Sequence, residues 1–138
     1  MVRRGVALAA GVATALTIAL AATLVARGMW PAYAAAEPHK SYTLAMLVAR
    51  LSVGALGTAA AALVATIIAR DGGAAAWWLG GLFLALSLPL HLRGWADYPA
   101  WYHLIYLSCL VPIAGIIGRI MAKHPAGSGT AGSARLRR

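Results

Sequence analysis

The sequence predicts an all-α membrane protein: a four-transmembrane-helix bundle with its N and C termini in the cytoplasm. Three observations predict it. Four apolar runs each approach or exceed the ~20 residues a helix needs to cross a ~30 Å hydrocarbon core. Only 11% of the 138 residues are charged and 62% are hydrophobic, whereas a soluble domain is about 25% charged. The 12 Lys and Arg outnumber 3 acids and sit at the edges of the apolar runs, the pattern that sets membrane orientation.

The first run is Gly5 to Ala26, GVALAAGVATALTIALAATLVA, preceded by Arg3 and Arg4. A secretory signal peptide is the rival reading, since AYAAAE (residues 32–37) offers small residues for cleavage. A signal h-region is only 7–15 residues long, and Trp30-Pro31 intervenes before any such site. The run is therefore expected to be an uncleaved helix. Residues 27–43, RGMWPAYAAAEPHKSYT, follow as a long polar loop.

The second span covers about 44–69 and contains Arg50. Its small residues recur at four-residue spacing (Gly54–Thr58–Ala62 and Gly57–Ala61). Lipid supplies no hydrophobic drive for helix association, so close backbone contact has to do it, and this helix is expected at the centre of the bundle. Arg70-Asp71-Gly72-Gly73 then makes a tight turn, its glycines free to take left-handed backbone angles.

The third span covers about 74–92 and the fourth about 100–121. Pro89 and Pro112 each remove a backbone donor within a helix, which predicts kinks, with Ser87 or Ser108 placed to bond a freed carbonyl. Between the two spans lies RGWADYP (residues 93–99). Residues 1–121 thus form the membrane domain, and residues 122–138, AKHPAGSGTAGSARLRR, a flexible basic C-terminal tail.

Four spans place both termini on one side. That side would carry Arg3, Arg4, Arg70, Arg119, Lys123, Arg135, Arg137 and Arg138; the other would carry Arg27, Lys40, Arg50 and Arg93. Eight against four puts the termini in the cytoplasm of a bacterial inner membrane. The net charge of +9 then marks anionic lipid and not nucleic acid, because the cations flank apolar runs and do not gather on one face. Most Trp and Tyr fall in or beside the two outer loops, as interfacial aromatics do.

The candidate site is an outer-face polar cluster: Arg50, Asp97, His91, His103 and Glu37. Arg50 lies about 9 Å into the second helix at 1.5 Å per residue. It is expected to snorkel, or to pair with Asp97 or Glu37, the acids on its side, or to stand as a fixed charge for an anionic ligand. His91 and His103 end one span and begin the next, so a short loop brings them close.

Their spacing matches no metal motif, with no HxxxH and no Cys partner, so no metal, haem or other cofactor is expected. The lone Cys109 excludes an internal disulfide. No nucleophile stands beside a base and no Gly-rich phosphate loop is present, so no catalytic residue is assigned.

The order of features resembles a group of small four-helix bacterial inner-membrane proteins with no assigned activity. The resemblance is carried by the Pro-bearing first outer loop, the Gly/Ala-rich second helix with its early basic residue, and Tyr98-Pro99-Ala100-Trp101-Tyr102-His103 in the last outer loop. Pro112 with Gly115 and Gly118 in the final helix completes it. Where that group often has His before the loop Pro, this chain has Tyr98. The resemblance implies architecture and no chemistry.

The expected role is that of a non-enzymatic accessory or interaction protein. Its partners would be the lipid bilayer and a second copy or another membrane protein. The alternatives are a dimeric small channel or transporter with a polar site near Arg50, or a metal- or haem-binding membrane protein.

Overall fold

The structure is a computed structural model that describes residues 1–123; the basic tail from 124 onward lies outside the described residues. The chain is helical, with no strand among the described residues. Helix α1 runs Val2–Met29, α2 Pro31–Ala36, α3 Leu44–Ala69, α4 Ala74–Arg93 and α5 Ala100–Lys123, with a 3₁₀ turn at Trp95–Asp97 between the last two. Four of these, α1, α3, α4 and α5, are long and apolar enough to cross a membrane. Within hydrocarbon a backbone must satisfy its own polar groups, which is why such runs fold as helices.

Two ends differ from the sequence expectation. Helix α1 continues to Met29, beyond the apolar run, and α5 to Lys123. The loop after α1 is also not wholly irregular, because PAYAAA forms α2 with Pro at its first position. Proline is pre-set for that position, and alanine is the best helix former. Composition alone made this segment look like loop.

Helix α3 packs against α1, α4 and α5 and is the centre of the bundle. Small side chains allow this. A Cβ on Gly11 would meet Leu79 Cδ2 at 2.9 Å and the Ala61 carbonyl oxygen at 3.1 Å, so α1 can approach α3 and α4 only with glycine there. Ala61, Ala62 and Ala65 are fully buried. The Thr58 and Thr66 hydroxyls donate to the carbonyls of Gly54 and Ala62, each at 2.8 Å, so neither leaves an unmet donor in the core. Large side chains such as Leu16, Leu20, Leu56 and Leu63 point outward, as a lipid-facing surface requires.

Helices α4 and α5 run unbroken through Pro89 and Pro112. The Ser108 hydroxyl donates to the Ile105 carbonyl at 3.1 Å and not to the carbonyl that Pro112 frees, which is its own.

The α1 N-terminus, the α3–α4 turn and the end of α5 share one end of the bundle. There Arg4 Nε donates to Asp71 Oδ2 at 2.9 Å and Arg3 Nε to the Ile68 carbonyl at 2.6 Å. Arg70, Gly72 and Gly73 have φ of 50°, 70° and 87°, which turns the chain within four residues. The opposite end holds α2, the 3₁₀ turn and the candidate cluster.

Candidate functional site

Arg50 anchors the cluster. Thr43 caps α3, its hydroxyl accepting from the Met46 amide at 3.4 Å, and this fixes the helix start and hence the depth of Arg50. The expected ion pairs with Asp97 and Glu37 do not form. Glu37 takes Arg27, with Nε to Oε2 at 2.6 Å, and Asp97 takes Lys40. The reason is reach: Arg27 ends α1 beside α2, and Lys40 sits on a left-handed residue (φ 53°) that turns its segment toward the 3₁₀ turn. Both acids are satisfied at the rim by nearer cations, while Arg50 stays deeper.

Arg50 is held by tyrosines instead. Its Nη1 donates to Tyr33 Oη at 2.7 Å and to Tyr42 Oη at 3.3 Å. The guanidinium also lies 4.8 Å from the centre of the Tyr42 ring and 5.9 Å from that of Tyr98, within cation–π range. Burial pushes the Tyr42 phenol up to about 12, against the pull of Arg50. Tyr42 is therefore a neutral acceptor and not a counter-ion. The Nε of Arg50 is buried and has no hydrogen-bond partner among the described residues.

His91 and His103 do come together, their Nδ1 atoms 2.8 Å apart. One imidazole donates and the other accepts, which requires at least one of them to be neutral. His103 is 1% exposed and stacks under Trp95 with centroids 4.7 Å apart. Its Nε2 is buried and has no hydrogen-bond partner among the described residues. His91 stacks on Tyr106 at 4.6 Å. Among the described residues no three His, Cys, Asp or Glu side chains form a metal-holding group.

Thus the structure joins His91 to His103, isolates Arg50 from Asp97 and Glu37, and adds five tyrosines (Tyr33, Tyr42, Tyr98, Tyr102 and Tyr106) that sequence reasoning treated only as interface anchors. The available signal was the shortage of acids: with three carboxylates in the chain, phenols are the commonest polar partners near Arg50. Of the three ion pairs among the described residues, two carry the carboxylates at this end of the bundle, and both are exposed.

Beside Arg50 lies a cavity of about 160 Å³. Arg50, Trp30 and Tyr33 stand at its polar end, and Ala19, Ala22 and Ala26 of α1 form its apolar wall. A second cavity of about 330 Å³ lies among α1, α3, α4 and α5 and meets the first at Ala19, Val53 and Gly54. Comparison with protein-family models, curated proteins and solved structures finds no match. The reading of function therefore follows from the geometry.

Proposed function

We propose that this chain is a non-enzymatic, multi-pass protein of the bacterial inner membrane that binds the anionic head of a membrane amphipath at Arg50. The observation that carries the reading is a half-buried cation that has no carboxylate partner among the described residues, and whose Nε is buried and unpartnered among them, at the mouth of an apolar cavity. Removing a cation from water costs several kcal/mol unless it is paired. Two phenol oxygens and two ring faces offset only part of that cost. A phosphate or carboxylate completes it, because the guanidinium fork presents parallel N–H donors to such groups.

The alanine wall takes the apolar part of the ligand. Five described cations at one end (Arg3, Arg4, Arg70, Arg119 and Lys123) against four at the other (Arg27, Lys40, Arg50 and Arg93) support cytoplasmic termini, which put Arg50 in the outer leaflet. The bundle cavity is lined by apolar side chains except at Thr58, Ser87 and Tyr106. That lining favours an apolar occupant over a hydrated ion path, and so favours a binding protein over a channel.

The test is native mass spectrometry of the full chain, purified in detergent and exchanged against dioleoyl phosphatidic acid and dioleoyl phosphatidylcholine. The wild type retains the anionic lipid preferentially, and Arg50→Met loses the preference. An unchanged preference in Arg50→Met, or no preference in the wild type, overturns the reading.

A further inference from the structure

Arg50 is covered from one side and open from another. Every residue that lines the cavity of about 160 Å³ beside it belongs to α1, Trp30, α2 or α3, and none to the connections at 37–43 and 93–99. The two lips of this cavity are Ala19 of α1 and Ala49 of α3, both exposed. Leu16, Ala19, Leu20 and Thr23 recur at three- and four-residue spacing, so they share one face of α1, and Leu16 and Leu20 are exposed on it. Ala49 shares a face of α3 with the exposed Leu56, two turns on. The cavity therefore opens sideways, onto an apolar flank of the bundle.

At the end of the bundle the guanidinium is roofed over. Tyr33 of α2 is buried and accepts from its Nη1. The rings of Tyr42 and Tyr98 lie 4.8 and 5.9 Å from its Cζ. They stack on each other, with centroids 5.8 Å apart and planes 15° from parallel. Both precede the helices that follow them, α3 and α5, so they stand on the end side of Arg50. Beside that stack Lys40 pairs with Asp97. The two links join the same two segments, residues 40 and 42 before α3 to residues 97 and 98 before α5. One aromatic contact and one ion pair thus clasp the two connections together over Arg50.

We infer that the anion reaches Arg50 from the bilayer, through the opening between α1 and α3, and that the Tyr42–Tyr98 and Lys40–Asp97 clasp sets specificity by refusing the same anion dissolved in water. This rests on the anion-binding reading of Arg50 and narrows it to a membrane-embedded phosphate or carboxylate. A dissolved anion coming from the end has to part an ion pair and an aromatic stack. Coming from the flank, it has to leave water and cross apolar surface, at the large cost of moving an ion into a medium of low dielectric constant. A lipid head meets neither barrier. Its tails stay in hydrocarbon while it moves along the flank, and Arg50 lies only about 9 Å into α3. Trp30, at the polar end of the cavity, is of the residue type that settles at head-group depth.

The experiment uses the full-length protein in nanodiscs of dioleoyl phosphatidylcholine. The probes are dioleoyl phosphatidic acid in the bilayer and glycerol 3-phosphate, its head group, in water. Native mass spectrometry reads the lipid occupancy. Ala22→Trp, which fills the opening, is expected to lower phosphatidic acid occupancy by about tenfold or more, since a charge-assisted contact is worth at least that. In the wild type, glycerol 3-phosphate leaves the lipid occupancy unchanged. In Asp97→Ala/Tyr98→Ala, which unfastens both links, the same addition is expected to displace the lipid.

Unaltered occupancy in a folded Ala22→Trp protein, or an equal response to glycerol 3-phosphate in the wild type and the unfastened variant, overturns the lateral route and leaves the anion site standing. A wild type with no preference for phosphatidic acid over phosphatidylcholine overturns the anion site itself. Should Ala22→Trp fail to fold, Ala49→Trp fills the same opening from its exposed lip. Should the double variant fail, Asp97→Asn unfastens the ion pair alone and the same displacement is read.

Discussion

Arg50 Nη1 donates to Tyr33 Oη at 2.7 Å, joining the long helix α3 to the short helix α2. Tyr33 is 4% exposed and packs with Ala36 and Met46. Its hydroxyl is therefore an acceptor for a charge in a site that water reaches poorly. Tyr33→Phe keeps the ring and removes the oxygen. Hydrogen bonds to charged groups contribute about 1.5–3 kcal/mol, so a loss of about 1.5–2 kcal/mol is expected in SDS-induced unfolding, with Tyr42 holding part of the charge. A variant as stable as the wild type would show that Tyr33 is only packing. Arg50→Lys is expected to lose a similar amount, because an ammonium cannot hold two phenols from one planar fork.

His103 carries the second prediction. Its Nε2 has no partner among the described residues at 1% exposure, which is a cost that the Trp95 stack and the His91 contact offset. His103→Phe retains a flat ring under Trp95 and removes the unmet nitrogen. Replacing a buried polar group by an apolar one of similar shape is close to neutral, while His91 is half-buried and can turn to water. Stability within about 1 kcal/mol of wild type is expected for His103→Phe. His103→Ala leaves a cavity and is expected to cost about 2–4 kcal/mol by analogy with other large-to-small core changes. Equal losses in the two variants would mean that the imidazole contact, and not the stack, holds this corner.

The four apolar helices were legible in the sequence because length, apolarity and flanking charge all report on one solvent, the bilayer. The centrality of α3 was legible through its small residues. The short helix α2 was not, since six residues carry no periodic signal and PAYAAA reads equally well as loop. The partners of Arg50 were misread for a physical reason. Opposite charges attract at any sequence separation, so Asp97 and Glu37 looked like the natural acceptors. Which cation reaches them first is set by loop geometry, here the left-handed Lys40, and the sequence carries no strong cue for a left-handed lysine. The meeting of His91 and His103 was anticipated because a short loop joins antiparallel helices, whereas the cavity beside Arg50 depends on three-dimensional packing that no spacing reveals.

The rim pairs should make docking of the α1–α3 and α4–α5 connections pH-dependent at both extremes. The Arg27 hydrogen bond holds the Glu37 carboxyl below its ordinary value of 4.5. That contribution is complete above the unfolded value and is lost as pH falls through the lower folded one. The Asp97 hydrogen bond raises Lys40 above 10.5, so its contribution is complete below the unfolded value and is lost as pH rises through the folded one. Between these limits the loops should be insensitive to pH. Both pairs are exposed to solvent, so the amplitude is small and shrinks with salt. Limited proteolysis of residues 37–43 across pH is the measurement. Accelerated cleavage is expected at the acid limb in wild type, with Glu37→Gln cleaved at that elevated rate already at neutral pH. An acid limb that persists unchanged in Glu37→Gln would assign it to another group.

The last prediction separates two neighbouring glycines at the opposite end. Gly72 has φ 70° and Gly73 φ 87°, so both occupy the left-handed region. An alanine at either pays backbone strain of roughly 1–2 kcal/mol. They differ in surroundings. A Cβ on Gly72 meets nothing within 4 Å, while one on Gly73 would lie 2.5 Å from the Gly118 carbonyl oxygen and 3.1 Å from its Cα. That neighbour is backbone of α5, which cannot yield as a side chain does. Gly72→Ala should therefore cost only the strain, and Gly73→Ala more than about 3 kcal/mol, as overpacking adds to the strain. Because Gly73 opens α4 against the C-terminal part of α5, the clash should pry those helices apart at this end and leave the Arg50 cluster in place. SDS unfolding gives the two energies, and Trp77, which packs over Gly115 on the same pair of helices, reports the separation by fluorescence. Equal costs for the two substitutions would mean that α5 does not press on the turn.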